Sequence, residues 1–204
     1  MVVLEVFADI GCPFAYVGLR QLVARRAELE RDDVVLRVHA WPLELVNGVP
    51  LDPALIAEEV DALRATVARN LFAGFDPAAF PGSTLPAMDV VQAAYDLDTQ
   101  TGEQVSLALR IALFEAGRDV ADPDVLAEIA AAHGVTVDPA AARVAVLADW
   151  EAGKHRGVRG SPEFFVAGRA WFCPVLDITR VDGEFQVRVD EDVRSEFLAA
   201  CFAP

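Results

Sequence analysis

Cysteine is scarce in this chain: Cys12, Cys173 and Cys201 are the only three among 204 residues. An odd and sparse set argues against a structural disulfide framework and for reduced thiols in a reducing compartment. Positive charge is scarce as well, with 17 Lys and Arg against 32 Asp and Glu and a formal net charge of -15. The phosphate contacts that dominate nucleic-acid affinity need clustered Lys and Arg, so neither DNA nor RNA is an expected partner. No run approaches the ~20 apolar residues of a membrane span. Nor does a basic segment followed by an apolar one open the chain, since Met1 runs straight into VVLEVFAD, whose Glu5 and Asp9 would interrupt a signal sequence. The expectation is a cytoplasmic, soluble protein without a membrane partner.

What is present is apolar residues, 54% of the chain, enough for one packed domain carrying a sizeable insertion. Residues 2 to 9 read as a central strand covered on both faces. Pro13 suits the first turn of a helix, with Leu19, Leu22 and Val23 forming an apolar stripe toward Leu29. VVLRVHAWPL, 34 to 43, alternates and is β-branched, which predicts a second strand parallel to the first across a right-handed crossover. From Asp52 to about Glu151 the period becomes helical, and Asp-Pro pairs at 52, 122 and 138 mark helix starts as N-cap and N1. The spacing predicts one helix over 101–117 and another from Asp122 to His133 that stops at Gly134, with a loop around Pro81, Gly82, Ser83 and Pro86. GVRGSPEFFVAG then leads into a short strand. Two β-rich runs follow, AWFCPVLDITRV and EFQVRVD, joined at Asp182-Gly183, and Val193 to Phe202 closes the chain as a helix. The expected division is a core of residues 1–48 and 152–204 and an all-helical insertion of residues 49–151.

That order, with Asp9, Cys12 and Pro13 as D-x-x-C-P at a strand end and Gly160-Ser161-Pro162 opening a late strand, resembles the DsbA family of thioredoxin-fold proteins across essentially the whole chain. The resemblance implies an α/β fold, a thioredoxin-like core with an inserted all-helical domain. CPFAYVG is most similar to the cytoplasmic FrnE-type branch, whose motif has an aromatic at Phe14, Tyr at Tyr16 and a second cysteine where this chain has Ala15. The related kappa-class glutathione transferases and 2-hydroxychromene-2-carboxylate isomerases carry Ser-Pro in place of Cys-Pro. It also implies that Pro162 is cis and faces Cys12, that the Ser161 backbone pairs with an extended peptide or with glutathione, and that a homodimer is within the family's range.

A cysteine at a helix N-terminus is stabilised as thiolate by unpaired N–H groups, so Cys12 is expected to titrate below a free thiol and act as the nucleophile, with Pro13 and Pro162 completing the catalytic set. The competing reading is a small buried hydrophobe. Ala15 cannot release a mixed disulfide. An external thiol such as glutathione, or a distant cysteine, must do so; otherwise the site binds a thiol as a glutathione-dependent transferase or isomerase, or binds a peptide or small molecule and catalyses nothing. Cys173 is the candidate substitute: a turn at Gly168-Arg169 sets it opposite about Phe164, with a buried structural cysteine as the alternative. Asp9 either hydrogen-bonds the site loop and tunes Cys12 or forms a local turn. Asp9, Phe14, Ser161 and Trp41 are the expected substrate-binding residues, Phe14 and Trp41 lining an apolar pocket between core and insertion unless they are simply core. Glu5, an acid in a covered strand, must be paired or have a raised pKa. His155, Arg156 and Arg159 form a cationic cluster suited to glutathione carboxylates or a solvated basic loop. The spacing of His39 and His133 suggests no metal site. The expected partners are therefore a thiol or disulfide substrate and glutathione as co-substrate, with no tightly bound cofactor.

Overall fold

The computed structural model describes residues 2–181 and 184–203. Strand β1 (Val2–Ala8) runs parallel to β2 (Val34–Ala40), in register from Val2 opposite Val34 to Ala8 opposite Ala40, and helix α1 (Pro13–Glu28) connects them. On its other side β1 pairs antiparallel with β3 (Glu163–Val166), which pairs antiparallel with β4 (Arg169–Phe172), giving the order β2-β1-β3-β4. The expected central strand is thus central, although its first residues Val2 and Val3 are exposed.

Between β2 and β3 the described chain is helical: α2 (Leu43–Asn47), α3 (Pro53–Thr66), a short 3-10 turn (Pro77–Ala79), α4 (Leu85–Leu97), α5 (Thr99–Phe114), α6 (Pro123–Ala132) and α7 (Pro139–Arg156). Asp52, Asp122 and Asp138 each cap a helix through their carboxylates with Pro in the first turn, contacts worth about 1 kcal/mol apiece. Helix α5 begins two residues earlier than the expected 101, because the Asp98 carboxylate accepts the Thr101 N–H at 2.8 Å.

These helices complete the open edge of β2 with side chains. Glu103 of α5 accepts the Leu36 N–H at 2.7 Å while gripping Arg26 through both oxygens. The Tyr95 hydroxyl accepts the Val38 N–H at 2.8 Å and donates to the Leu36 carbonyl, and Asp149 accepts the Ala40 N–H at 3.0 Å. An edge strand left bare is a template for foreign strands, and here it is occupied. Gly102 makes the arrangement feasible, since a Cβ there would lie 2.0 Å from the Tyr95 ring.

The late β-rich stretch differs from expectation. AWFCPVLDITRV is not one strand: β4 stops at Phe172, and Cys173, with φ +43°, turns the chain so that the Leu176 N–H reaches its carbonyl at 3.0 Å. No strand tolerates that left-handed backbone. Among the described residues β5 (Asp177–Val181) and β6 (Glu184–Arg188) then pair only with each other, as a separate two-stranded sheet, and α8 (Glu191–Cys201) follows. The Asp182-Gly183 turn expected between them lies outside the described residues. No helix among the described residues is long and apolar enough to cross a membrane, and no cluster of three metal-ligating side chains occurs among them.

Candidate active site

Where β1 ends, Cys12 becomes the N-cap of α1 with Pro13 in the first turn, so its side chain rather than a backbone carbonyl meets the unpaired helix amides. Its Sγ accepts the Ala15 N–H at 3.4 Å and donates its own hydrogen to the Ser161 carbonyl at 3.2 Å. Ser161-Pro162 is a cis peptide, as the resemblance implied. Ala15 is fully buried, so the position that would hold a second thiol is filled by a methyl group in the core. Tyr16, next along the helix, also points inward and donates to Glu115 of the helical segment at 2.7 Å.

Asp9 holds this loop together from beneath. One carboxylate oxygen accepts the Gly11 N–H at 2.8 Å, the other the Leu43 N–H at 2.7 Å, and its own N–H donates to the Ser161 Oγ at 2.9 Å. The residue is wholly inaccessible, which corrects its assignment as substrate-binding: it positions the Cys12 and Ser161 loops and cannot touch a ligand. Burial pushes its carboxyl up, against the pull of those two amides. Arg110, missed in the sequence, is fully buried beside it and donates to the Asp9 carbonyl at 3.0 Å and to Ser106; desolvation lowers its pKa to about 10.

Cys173 lies closer to the Ser161-Pro162 loop than its expected position. The β3–β4 turn falls one residue earlier than Gly168-Arg169, because Ala167 and Gly168 both adopt positive φ, and the register moves by two. Trp171 therefore faces Phe164, and the Cys173 N–H bonds the Pro162 carbonyl at 3.0 Å. Cys12 and Cys173 line one cleft of about 390 Å³, with Ser161 between them. Phe14, Leu55, Phe172 and Phe185 make its walls apolar, and Glu59 and Asp52 are its acids. Glu59 is the second residue missed in the sequence. It stands three residues after the buried Ile56 and four before the buried Leu63, so the apolar stripe of α3 carries it to the core side.

The electrostatics overturn one expectation. Cys12 was expected to titrate low, but burial pushes its thiol up to about 12, outweighing the hydrogen bonds with Ser161 and Ala15, and the charges of Glu59 and Asp9 add to the rise. Burial likewise raises Cys173, with the nearby Cys12 adding to it, and carries Cys201 up to about 12. Glu59 is pushed up to about 7 by desolvation, which the partly opposing charges of Arg180 and Glu58 do not reverse. All three cysteines are free thiols.

Two other expected contributors are elsewhere. Trp41 packs with Phe7 and Val158 in a separate small cluster against Gly153 of α7, where a Cβ would come within 2.6 Å of the indole, so it does not line the Cys12 cleft. The cationic cluster is dispersed: Arg156 pairs with Glu5 at 3.1 Å and stacks on Phe165, while Arg159 pairs with Glu163 at 2.6 Å. That pairing also answers for Glu5, which is half-exposed and held below the usual carboxylate range chiefly by Arg156, with His39 helping.

The sequence matches the DSBA-like thioredoxin domain over residues 3–178. Among curated proteins none matches it. Among solved structures, the cytosolic disulfide reductase DsbM from Pseudomonas aeruginosa superposes with a TM-score of 0.60 at 20% identity, covering 96% of this chain and 97% of that one. DsbM with GSH gives the same values. A 2-hydroxychromene-2-carboxylate isomerase superposes with a TM-score of 0.58 at 15% identity, over 84% of this chain and 88% of that one. At these identities the likeness speaks for the fold.

Proposed function

The chain belongs to the DSBA-like thioredoxin domain family, and on that premise we propose that it is a cytoplasmic thiol-disulfide oxidoreductase whose nucleophile is Cys12. The observation that carries this reading is the placement of the Cys12 Sγ at the start of α1, against the Ser161 carbonyl and on the wall of an apolar cleft.

In the first step the Cys12 thiol gives its proton to solvent, and the thiolate attacks one sulfur of a substrate disulfide. The substrate S–S bond breaks, its electron pair leaves on the second sulfur, and that thiolate takes up a proton. The product is a mixed disulfide on Cys12. Because Ala15 cannot resolve it, Cys173 is assigned as the resolving thiol: its thiolate attacks the Cys12 sulfur, a Cys12–Cys173 bond forms, and the second half of the substrate leaves as a thiol. The substrate disulfide has gained two electrons and the protein has lost two. Two molecules of an external thiol return the bridge to two thiols and become a disulfide themselves; glutathione is the proposed co-substrate, in keeping with the DsbM structure with GSH.

Incubation with bis(2-hydroxyethyl) disulfide, followed by intact mass and peptide mapping, tests the reading. The expected result is one adduct on Cys12, absent in Cys12→Ser, followed by its loss with a Cys12–Cys173 bridge. Cys173→Ser should trap the adduct. Absence of any adduct on Cys12 overturns the oxidoreductase assignment, and an adduct whose lifetime ignores Cys173→Ser overturns the resolving role alone.

A further inference from the structure

The cleft is built unevenly in charge. Among the described residues its walls carry two carboxylates, Asp52 and Glu59, and neither Lys nor Arg lines it. Two guanidinium groups stack on its aromatic walls, each already paired with a carboxylate: Arg180 on Phe185 with Glu58 at 3.3 Å, and Arg159 on Phe172 with Glu163. The charges of Glu59 and Asp9 disfavour the Cys12 thiolate, and the same field disfavours any other anion brought to the sulfur. Resting on the oxidoreductase reading, we propose that this cleft selects its substrates by charge: it takes disulfides flanked by basic and apolar groups, as in a basic, aromatic-rich peptide segment, and discriminates against anionic disulfides.

The apolar part of that recognition falls to Phe14, Leu55, Phe172 and Phe185, which offer a bound side chain a desolvated wall. The basic part falls to Glu59 and Asp52. Asp52 also caps α3 by accepting the Ala54 N–H, which fixes its carboxylate at the rim. A substrate cation within several ångströms of one such carboxylate, at the dielectric of a partly buried site, gains roughly a tenfold advantage over a neutral analogue, and an anion is penalised similarly. Glutathione is a net anion at neutral pH, so as the co-substrate it works against this field, and a cationic thiol of equal reactivity should re-reduce the protein faster. The groups around Glu59 are Cys12 and Cys173 in the same cleft, Arg180 from β5, Glu58 beside it on α3 and Asp52 at the α3 N-cap. Since Glu59 gains its charge around neutrality, the selection should sharpen from pH 6 to pH 8.

Three disulfides of matched size read this directly: cystamine as the dication, bis(2-hydroxyethyl) disulfide as the neutral member and dithiodiglycolate as the dianion. Rates of Cys12 modification are normalised to those of free 2-mercaptoethanol with the same reagents, which removes their intrinsic reactivity. The normalised cystamine-to-dithiodiglycolate ratio is expected to exceed one by at least about tenfold at pH 8. It should fall several-fold in Glu59→Gln and shrink in about 0.5 M salt, where screening acts over a few ångströms. A ratio near one, or a ratio that Glu59→Gln leaves unchanged, overturns the proposal even if exchange proceeds. If no disulfide modifies Cys12, the oxidoreductase reading fails separately, and iodoacetamide against iodoacetate then reads the same wall without exchange chemistry. An equal normalised rate for those two reagents, or a Cys12 that neither reaches, overturns the charge selection as well.

Discussion

Two groups of acids sit around this sheet, one against β2 and α7 and one in the Cys12 cleft, and the protein treats them in opposite ways. Around β2 and α7, Glu5 and Asp149 are drawn into a dense set of partners: Arg156, His39, Gln92 and the Ala40 N–H. For Asp149 burial alone would raise the pKa, yet His39 and the backbone amide outweigh it and the net shift is downward. At the cleft, by contrast, desolvation dominates at Cys12, Cys173 and Glu59, Arg180 only partly opposing it at Glu59, and all three are pushed up. Ionisation is made easy where it stabilises the sheet and hard where the reactive sulfur lies. The difference comes from partners, since both regions are at least partly buried.

Removing a carboxylate from each group should therefore have opposite signs. The largest effect is expected from Asp149→Ala, which strands the Ala40 N–H and removes the partner of His39: a loss of about 3 kcal/mol in chemical denaturation, with the rate of Cys12 modification unchanged. Glu59→Gln should do the reverse. Its folded pKa is about 7 against the ordinary glutamate value of 4.5, so between those values the folded state holds a proton the unfolded state has released. Its burial penalty is absent below about pH 4.5 and fully present above about pH 7, so stability falls with rising pH in between. The glutamine variant should equal the parent at pH 4 and exceed it by on the order of 2 kcal/mol at pH 8. The smallest effect belongs to Arg156→Ala, since the ion pair with Glu5 is largely solvated: under about 1 kcal/mol, fading with salt.

Much of this contrast was hidden in the sequence, for a reason particular residues make plain. Features written in consecutive residues were legible: Cys12-Pro13 opening α1, the Asp-Pro caps at 52, 122 and 138, and the parallel pairing of 2–8 with 34–40. Features that depend on what lies across space were not. Trp41 follows a β-strand whichever face it packs on, and only the close approach of Gly153 decides it. Arg156 belongs to a basic run in the chain but to Glu5 in the fold, 151 positions away. The register of β3 against β4 turned on which residue took a left-handed conformation, a shift of one position that moved Cys173 by two. The helix-start argument for a low Cys12 pKa was locally sound, but it omitted Glu59, which arrives from α3, and the burial that closes over the sulfur.

The most direct test of that contrast is the pH dependence of alkylation at Cys12. Iodoacetamide rates, followed at the Cys12 peptide, should climb about tenfold per pH unit from 6 through 9 without levelling, because only the scarce thiolate reacts and burial keeps the thiol protonated over that span. A plateau reached by about pH 7 would show a stabilised thiolate and contradict the account of an uncompensated, desolvated site.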